Sequence, residues 1–300
     1  MEATLRWALI TAIAPVAWGS NYYVTHEFLP ADSPLYGGLL RALPAGLVLL
    51  AARRRLPSGS WWWRSLVLGT LNVGAFFVLI YLAAQLLPTS VAATVMATSP
   101  VVMMLFAWLL LATPPRARHL AGAAVGIAGV VLMLFTGAVP ADPRGVLASV
   151  AAMAMSSLGY VLAKKWSADI DVLSLTSWQL VAGGLVVAPF AVLVEGAPPA
   201  LDGPALLGFG YVAVVATALA FAAWFAGLRH LDAGTVGLVG LLNPVTGVLL
   251  GTAVAGEVLS LRQFAGLALV LTGIALGRPG RSGISRSSPR AAAGRAGPAT

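Results

Sequence analysis

Between Arg64 and Arg116 the chain runs for 51 residues, Ser65 to Pro115, without one charged side chain. A single α-helix of that length would extend about 75 Å, more than twice the roughly 30 Å hydrocarbon core of a bilayer. The run therefore reads as two membrane-spanning helices. The break falls at Leu87-Pro88-Thr89, where proline ends one helix and Thr89 or Ser90 caps the next.

The same pattern covers most of the chain. Candidate spans are Trp7–Thr25, Pro34–Ala52, Ser65–Leu87, Thr89–Thr113, Leu120–Val139, Gly145–Ala163, Val172–Val194, Pro204–Leu228, Ala233–Gly256 and Leu259–Gly277. Only 9% of the 300 residues are charged, against about a quarter in a soluble domain, so there is too little polar surface to clothe a soluble core. Strict alternation over ten-residue segments is missing, which excludes a transmembrane β-barrel. Cysteine is absent, so there is no disulfide framework, thiolate metal site or cysteine nucleophile. His26, His119 and His230 lack zinc-motif spacing and read as polar residues near helix ends. No P-loop and no acidic cluster for magnesium occur. The sequence calls for no cofactor.

A net charge of +8 can signal a nucleic-acid partner, but its placement argues for topology. With alternate loops assigned to opposite sides, fifteen of eighteen basic residues share one side. They are Arg6, Arg53, Arg54, Arg55, Arg64, Arg116, Arg118, Lys164, Lys165, Arg229 and the tail arginines 278, 281, 286, 290 and 295. Positive residues stay cytoplasmic, so both termini are expected inside. The first span, with Glu2 and Arg6 ahead of it, reads as a retained helix and not a cleaved signal peptide. Residues 278–300 read as a disordered basic cytoplasmic tail, able to lie on anionic lipid. Sixteen arginines against two lysines, with abundant alanine and glycine, suggest a GC-rich bacterium and its cell membrane.

The two halves resemble each other. An offset of 138 lays Tyr22 on Tyr160 and Arg41 on Gln179; an offset of 144 lays Ser99-Pro100-Val101 on Asn243-Pro244-Val245, Gly122 on Gly266 and Gly129 on Gly273. Five helices per half is an odd number, so the second half enters the membrane inverted. Inverted repeats imply a site between the halves near mid-bilayer, the architecture of an alternating-access carrier. The expected fold is an all-α integral membrane protein of ten transmembrane helices. Residues 1–139 form one five-helix repeat and 140–277 the other.

Particular stretches resemble the drug/metabolite transporter superfamily, EamA family, over about residues 7–277. They are WGSNYYV at 18–24 with LRALPAG after it, ATSPVVMMLFAWLLL at 97–111, GAAVGIAGVVL at 122–132, and LLNPVTGVLLGTAVAGEVLSLRQFAGLALVLTGIAL at 241–276. The resemblance implies a ten-helix carrier that exports amino acids or other small metabolites. This chain departs from the family at Thr113, where first halves often carry Glu. Related small multidrug exporters couple protons through a first-helix carboxylate, and no acidic residue lies between Arg6 and Glu27 here.

A carrier reads its cargo with polar groups on inward helix faces, where the low dielectric strengthens each hydrogen bond. Trp18, Asn21, Tyr22 and Thr25 form one polar-aromatic face of the first helix. Arg41 is the charge set deepest in a span. It either snorkels or binds backbone carbonyls, or it holds a carboxylate cargo or partners a gate. Asn72, Trp178, Gln179 and Asn243 are further substrate-binding candidates. Pro100 and Pro244 kink their helices and are candidate hinges. Trp61-Trp62-Trp63 beside Arg64 reads as an interfacial anchor. Asp169-x-Asp171 reads as a solvated loop pair without a partner. Glu257, between the last two spans, is read first as structural, pairing with Arg262, and by elimination as the leading proton-coupling carboxylate.

The expected function is a membrane transporter, a secondary carrier whose partners are a small-molecule substrate and the lipid bilayer, with no nucleic acid and no enzymatic activity. An integral-membrane enzyme would need a clustered catalytic set, and an ion channel would leave the inverted halves and matched prolines unexplained.

Overall fold

The computed structural model describes residues 2–28, 33–87, 89–134, 142–255 and 260–277, and every regular element among them is a helix. In chain order, α1 is Glu2–Phe28 and α2 is Pro34–Arg53. Helix α3 joins Trp61–Gly69 to Ala75–Leu86 through a π-turn, Thr70–Gly74. Helix α4 is Thr89–Met96 followed by Ser99–Leu111, α5 is Ala117–Leu134 and α6 is Pro143–Trp166. Helix α7 is Val172–Phe190 with a terminal π-turn, Ala191–Glu195. Helix α8 joins Gly203–Ala213 to Ala220–His230 through a π-turn, Val214–Leu219. Helix α9 is Ala233–Gly240 followed by Leu242–Ala255, and α10 is Leu261–Leu276. Among the described residues, eight stretches are long and apolar enough to cross a membrane: those of α2 through α9. Helix α10 is apolar but shorter, at 16 residues.

Burial runs opposite to that of a soluble protein. Leu193, Leu207 and Leu147 are 83%, 78% and 70% exposed, whereas Ser149, Thr176, Ser177 and Asn72 are fully buried. Lipid tails give apolar side chains no reason to turn inward, so small residues that let backbones approach and polar groups that bond across helices share the interior with large apolar side chains such as Leu68 and Trp224. Helices α5 and α10 show this most directly. A Cβ on Gly122 would lie 2.5 Å from the Gly273 carbonyl oxygen, and one on Gly129 would lie 2.7 Å from that of Gly266.

Helix starts are set by capping side chains. Asp142, Asp171, Asp202 and Asp232 each accept from a backbone N–H of the helix that follows. Ser260 and Gln263 close a reciprocal capping box at the start of α10. Four of the chain's ten carboxylates are thus helix starters, which suits the positive N-terminal end of the dipole.

Several sequence expectations are corrected. The third helix begins at Trp61, not Ser65, so the tryptophan triplet is its first turn; Trp61 packs inward on Trp178, ring centroids 5.6 Å apart, while Trp62 and Trp63 face out. Asp171 is not an unpartnered loop residue: it caps α7 and pairs with Arg53 at 2.9 Å. His119 is buried, 3.6 Å from Asp232. Helix α4 breaks at Ala97-Thr98, just ahead of Pro100, and α9 breaks at Leu241, ahead of Pro244, because proline supplies no N–H to the preceding turn. Glu257 lies outside the described residues.

The packing is pairwise. Helix α5 lies along α10 and α2 along α7; α1 packs on α8 and α9, and α6 packs on α3 and α4.

Candidate functional site

Two sets of interior side chains meet at the two mid-helix π-turns: Trp18, Arg41 and Thr217 at one, Asn72 and Gln179 at the other. A π-turn inserts an extra residue into the helical ladder and disturbs its carbonyl register, and such turns recur at functional sites. In α8, the Ala216 carbonyl accepts from Trp18 Nε1 at 3.1 Å and from Arg41 Nη2 at 3.1 Å. Arg41 Nε donates to Thr217 Oγ1 at 2.9 Å, and the guanidinium lies 5.1 Å from the Phe77 ring centroid. Three helices, α1, α2 and α8, therefore converge on one turn.

The other centre sits at the π-turn of α3. Asn72 Nδ2 donates to Gln179 Oε1 at 2.6 Å, and Gln179 Nε2 bonds back to the Leu175 carbonyl at 3.3 Å. Both side chains are buried. Gly159 of α6 presses against the Asn72 amide so closely that any Cβ there would collide with Oδ1.

An aromatic cluster lies beside the first centre. The Trp18 ring is 5.4 Å from Phe221 and 5.3 Å from Trp224, and Tyr160 of α6 is 5.4 Å from Trp224. Trp224 Nε1 is buried without a hydrogen-bond partner among the described residues, and so is Asn21 Oδ1, one turn along α1 from Trp18. One orphan donor and one orphan acceptor thus border the same ring cluster. Between α1, α8 and α9 opens a cleft of about 490 Å³, mostly apolar, with Ser20 Oγ 2.6 Å from the Tyr211 hydroxyl on its wall.

Of the residues singled out in the sequence, Trp18 and Arg41 come together on α8, and Asn72 and Gln179 bond to each other. Asn243 of α9 approaches α1 through its carbonyl, 2.6 Å from where a Gly19 Cβ would sit. Tyr22 is in α1, but its side chain lies outside the described residues. Trp178 sits apart, donating to the Arg55 carbonyl at 2.7 Å at the helix ends.

That basic end is firmly tied. Lys164 Nζ donates to the carbonyls of Leu228 and Leu231, Arg229 donates to those of Ile170 and Ala168, and Trp7 stacks on His230 at 3.5 Å. At the opposite end Glu195 accepts from Leu35 N at 2.6 Å and from Tyr36 N at 2.9 Å.

Sequence reasoning missed Thr217, Phe221 and Trp224. A usable signal existed: the offset of 144 that aligns the two proline motifs also lays Phe77 on Phe221. Thr217 carried none, because a threonine in an apolar helix ordinarily bonds its own backbone.

The EamA-like transporter family matches residues 5–135 and again residues 143–277. Protein PecM of Dickeya dadantii (strain 3937) is 38% identical over 263 residues, covering 87% of this chain and 88% of that protein. A probable amino-acid metabolite efflux pump of Salmonella typhimurium (strain LT2) is 27% identical over 283 residues, covering 88% and 92%. A solved crystal structure, 22% identical, superimposes with a TM-score of 0.78 over 90% of this chain and 96% of its own, and shares the fold. With apolar helices facing outward, polar groups facing inward and a family match in both halves, the chain belongs to the EamA-like transporter family and is a multi-pass membrane transporter.

Proposed function

We propose that this transporter is a secondary carrier with ten membrane-spanning helices in two inverted five-helix repeats, residues 1–139 and 140–277, exporting small metabolites such as amino acids by alternating access. The observation that carries this reading is the packing pattern. Exchanging the first five helices with the last five turns every principal contact into another: α1 on α8 and α9 becomes α6 on α3 and α4, while α2–α7 and α5–α10 map onto themselves. Gly122 meets Gly273 and Gly129 meets Gly266, whereas sequence equivalence links Gly122 to Gly266 and Gly129 to Gly273. A crossed pairing of equivalent residues is what a two-fold axis in the membrane plane produces.

The cargo site on this reading is the ring cluster and the α8 turn. Trp18 contributes an aromatic face, Arg41 a carboxylate partner, and Asn21 and Trp224 the orphan acceptor and donor. Asn72, Gln179 and Asn243 hold the surrounding helices, and Pro100 and Pro244 mark the hinges. Trp178, tied to Arg55 at the helix ends, lies away from that cluster. The basic loops support cytoplasmic termini in a bacterial cell membrane. The amino-acid reading leans on the Salmonella pump's name and on Arg41, and the chain performs transport without chemistry on its cargo.

The test is radiolabelled amino-acid counterflow in proteoliposomes, beside metabolite profiling of medium from overexpressing cells. Trp224→Phe, which removes the N–H and keeps one aromatic ring, and Asn21→Ala should each raise the half-saturating concentration of a transported amino acid at least about tenfold, the worth of one buried hydrogen bond. Counterflow that no amino acid supports would refute the cargo class.

A further inference from the structure

At the start of α3, Arg64 is a cation whose donors go unanswered. Its guanidinium carbon lies 5.6 Å from the Trp61 ring centroid and 5.5 Å from those of Trp63 and Trp166, and the Trp63 and Trp166 rings meet edge to face at 5.3 Å. Three ring faces attract the positive charge but do not give its five N–H groups the oxygen acceptors they fit. Among the described residues the guanidinium makes no hydrogen bond and no ion pair. Its Nε is buried without a partner, while the residue as a whole stays partly exposed.

The surroundings are basic and fixed in place. Trp61 packs on Trp178, whose Nε1 donates to the Arg55 carbonyl at 2.7 Å, so the link from α2 to α3 is pinned beside the rings. Arg54 and Arg55 on that link and Lys165 beside Trp166 are exposed. Of the two carboxylates on the link from α6 to α7, Asp171 is taken by Arg53 at 2.9 Å, which leaves Asp169. Trp62 and Trp63, 61% and 50% exposed, form the kind of aromatic surface that sits at the headgroup level of a bilayer. The repeat does not require the cluster. The 144-residue offset lays Trp61-Trp62-Trp63-Arg64 on Ala205-Leu206-Leu207-Gly208 at the start of α8, and the 138-residue offset lays Trp166 on Phe28. The equivalent helix start therefore packs with neither a tryptophan nor a cation at these positions.

We propose that Arg64, held among Trp61, Trp63 and Trp166, binds the phosphate of an anionic phospholipid, and that Arg54, Arg55 and Lys165 select a headgroup of net negative charge. A planar guanidinium fork matches two phosphate oxygens, and at the headgroup level the abundant phosphate is that of the lipid. Any phospholipid phosphate satisfies the fork; the neighbouring basic side chains decide for an anionic one, each by about fivefold. The inference rests on the chain's being a membrane protein and on no cargo.

The test is native mass spectrometry of the full-length protein in a neutral detergent, titrated with phosphatidylglycerol or with phosphatidylcholine of the same acyl chains. Thermal unfolding is measured alongside. The first phosphatidylglycerol should bind at least about tenfold more tightly than the first phosphatidylcholine. Arg64→Gln should weaken that first phosphatidylglycerol about tenfold, the worth of one hydrogen bond to a charged group. Arg64→Lys, which keeps the charge and loses the fork, should fall between. Arg54→Gln combined with Arg55→Gln alters exposed side chains alone and should cut the preference for phosphatidylglycerol at least about fivefold. Arg144→Gln, an exposed arginine at the other end of α6 from Trp166, should leave it unchanged.

Equal affinities for the two lipids overturn the proposal. So does an Arg64→Gln protein that unfolds at the wild-type temperature and keeps the wild-type preference. If that variant does not fold, the loop variant decides, and an undiminished preference there overturns the site. Inorganic phosphate that displaces phosphatidylglycerol at equal concentration marks a site for soluble anions and overturns the lipid assignment. Lipid binding needs no transport, so a failed cargo class leaves this site standing, and a failed lipid site leaves the cargo class standing.

Discussion

Replacing Gly273 by alanine tests the closeness of the α5–α10 seam. The new Cβ would sit 2.5 Å from the Gly122 carbonyl oxygen, 2.6 Å from Gly126 N and 2.9 Å from Gly126 Cα. All three are backbone atoms, so no side chain can rotate away. The helices must separate by most of an ångström, which strips contacts along the whole seam. Overpacking of this kind costs about 1–3 kcal/mol. Alanine also favours a helix over glycine by up to about 1 kcal/mol, so the control must carry the same gain. Gly210 of α8 supplies it, because a Cβ there meets nothing within 4 Å. Gly210→Ala should be neutral or stabilising, and because the helix gain is common to both, the two variants should differ by the overpacking cost, about 1–3 kcal/mol. Thermal unfolding in one lipid-detergent mixture, read by tryptophan fluorescence, measures the difference. If Gly273→Ala unfolds at the temperature of Gly210→Ala, the close seam is refuted, and with it the crossed glycine pairing that supports inverted repeats.

The remaining predictions concern the polar ties. Asn72→Leu leaves Gln179 Oε1 without its donor and should destabilise the fold by about 1–3 kcal/mol, while adding Gln179→Leu should recover much of the loss in a double-mutant cycle. Glu195→Ala removes the carboxylate that accepts from Leu35 N and Tyr36 N at the start of α2; hydrogen exchange at those two amides should quicken about tenfold or more, and unchanged exchange would show that solvent serves them equally well. Lys164→Met frees the carbonyls of Leu228 and Leu231 at the end of α8, so labelling of a Leu231→Cys probe should accelerate relative to the Lys164 parent.

What could be read in the chain before any folding was the solvent it lives in and the rhythm of its helices. Hydropathy is a local property: an uncharged run of 51 residues determines that two helices span, and Leu87-Pro88-Thr89 determines where they part, without reference to any neighbour. The structure ends α3 at Leu86 and restarts at Thr89. The repeat was legible for the same reason, since Pro100 and Pro244 or Gly122 and Gly266 impose backbone constraints that survive as residue identities.

Partnership is not local, and only the tertiary structure decided it. Arg41 could be seen as a charge in an apolar span, but its acceptors lie on α8, 175 and 176 residues away. Asn72 and Gln179 stood in the sequence as separate amides; packing brought them to 2.6 Å, and packing alone set Trp178 against the Arg55 carbonyl. The π-turns that receive these groups leave no residue signature, because the choice between a four- and a five-residue hydrogen-bond step costs little until a neighbouring helix fills or refuses the extra bulge. A buried polar group in lipid must find a partner or strand one, and which helix supplies it depends on how similar apolar rods stack, a property of their mutual packing that no single rod encodes.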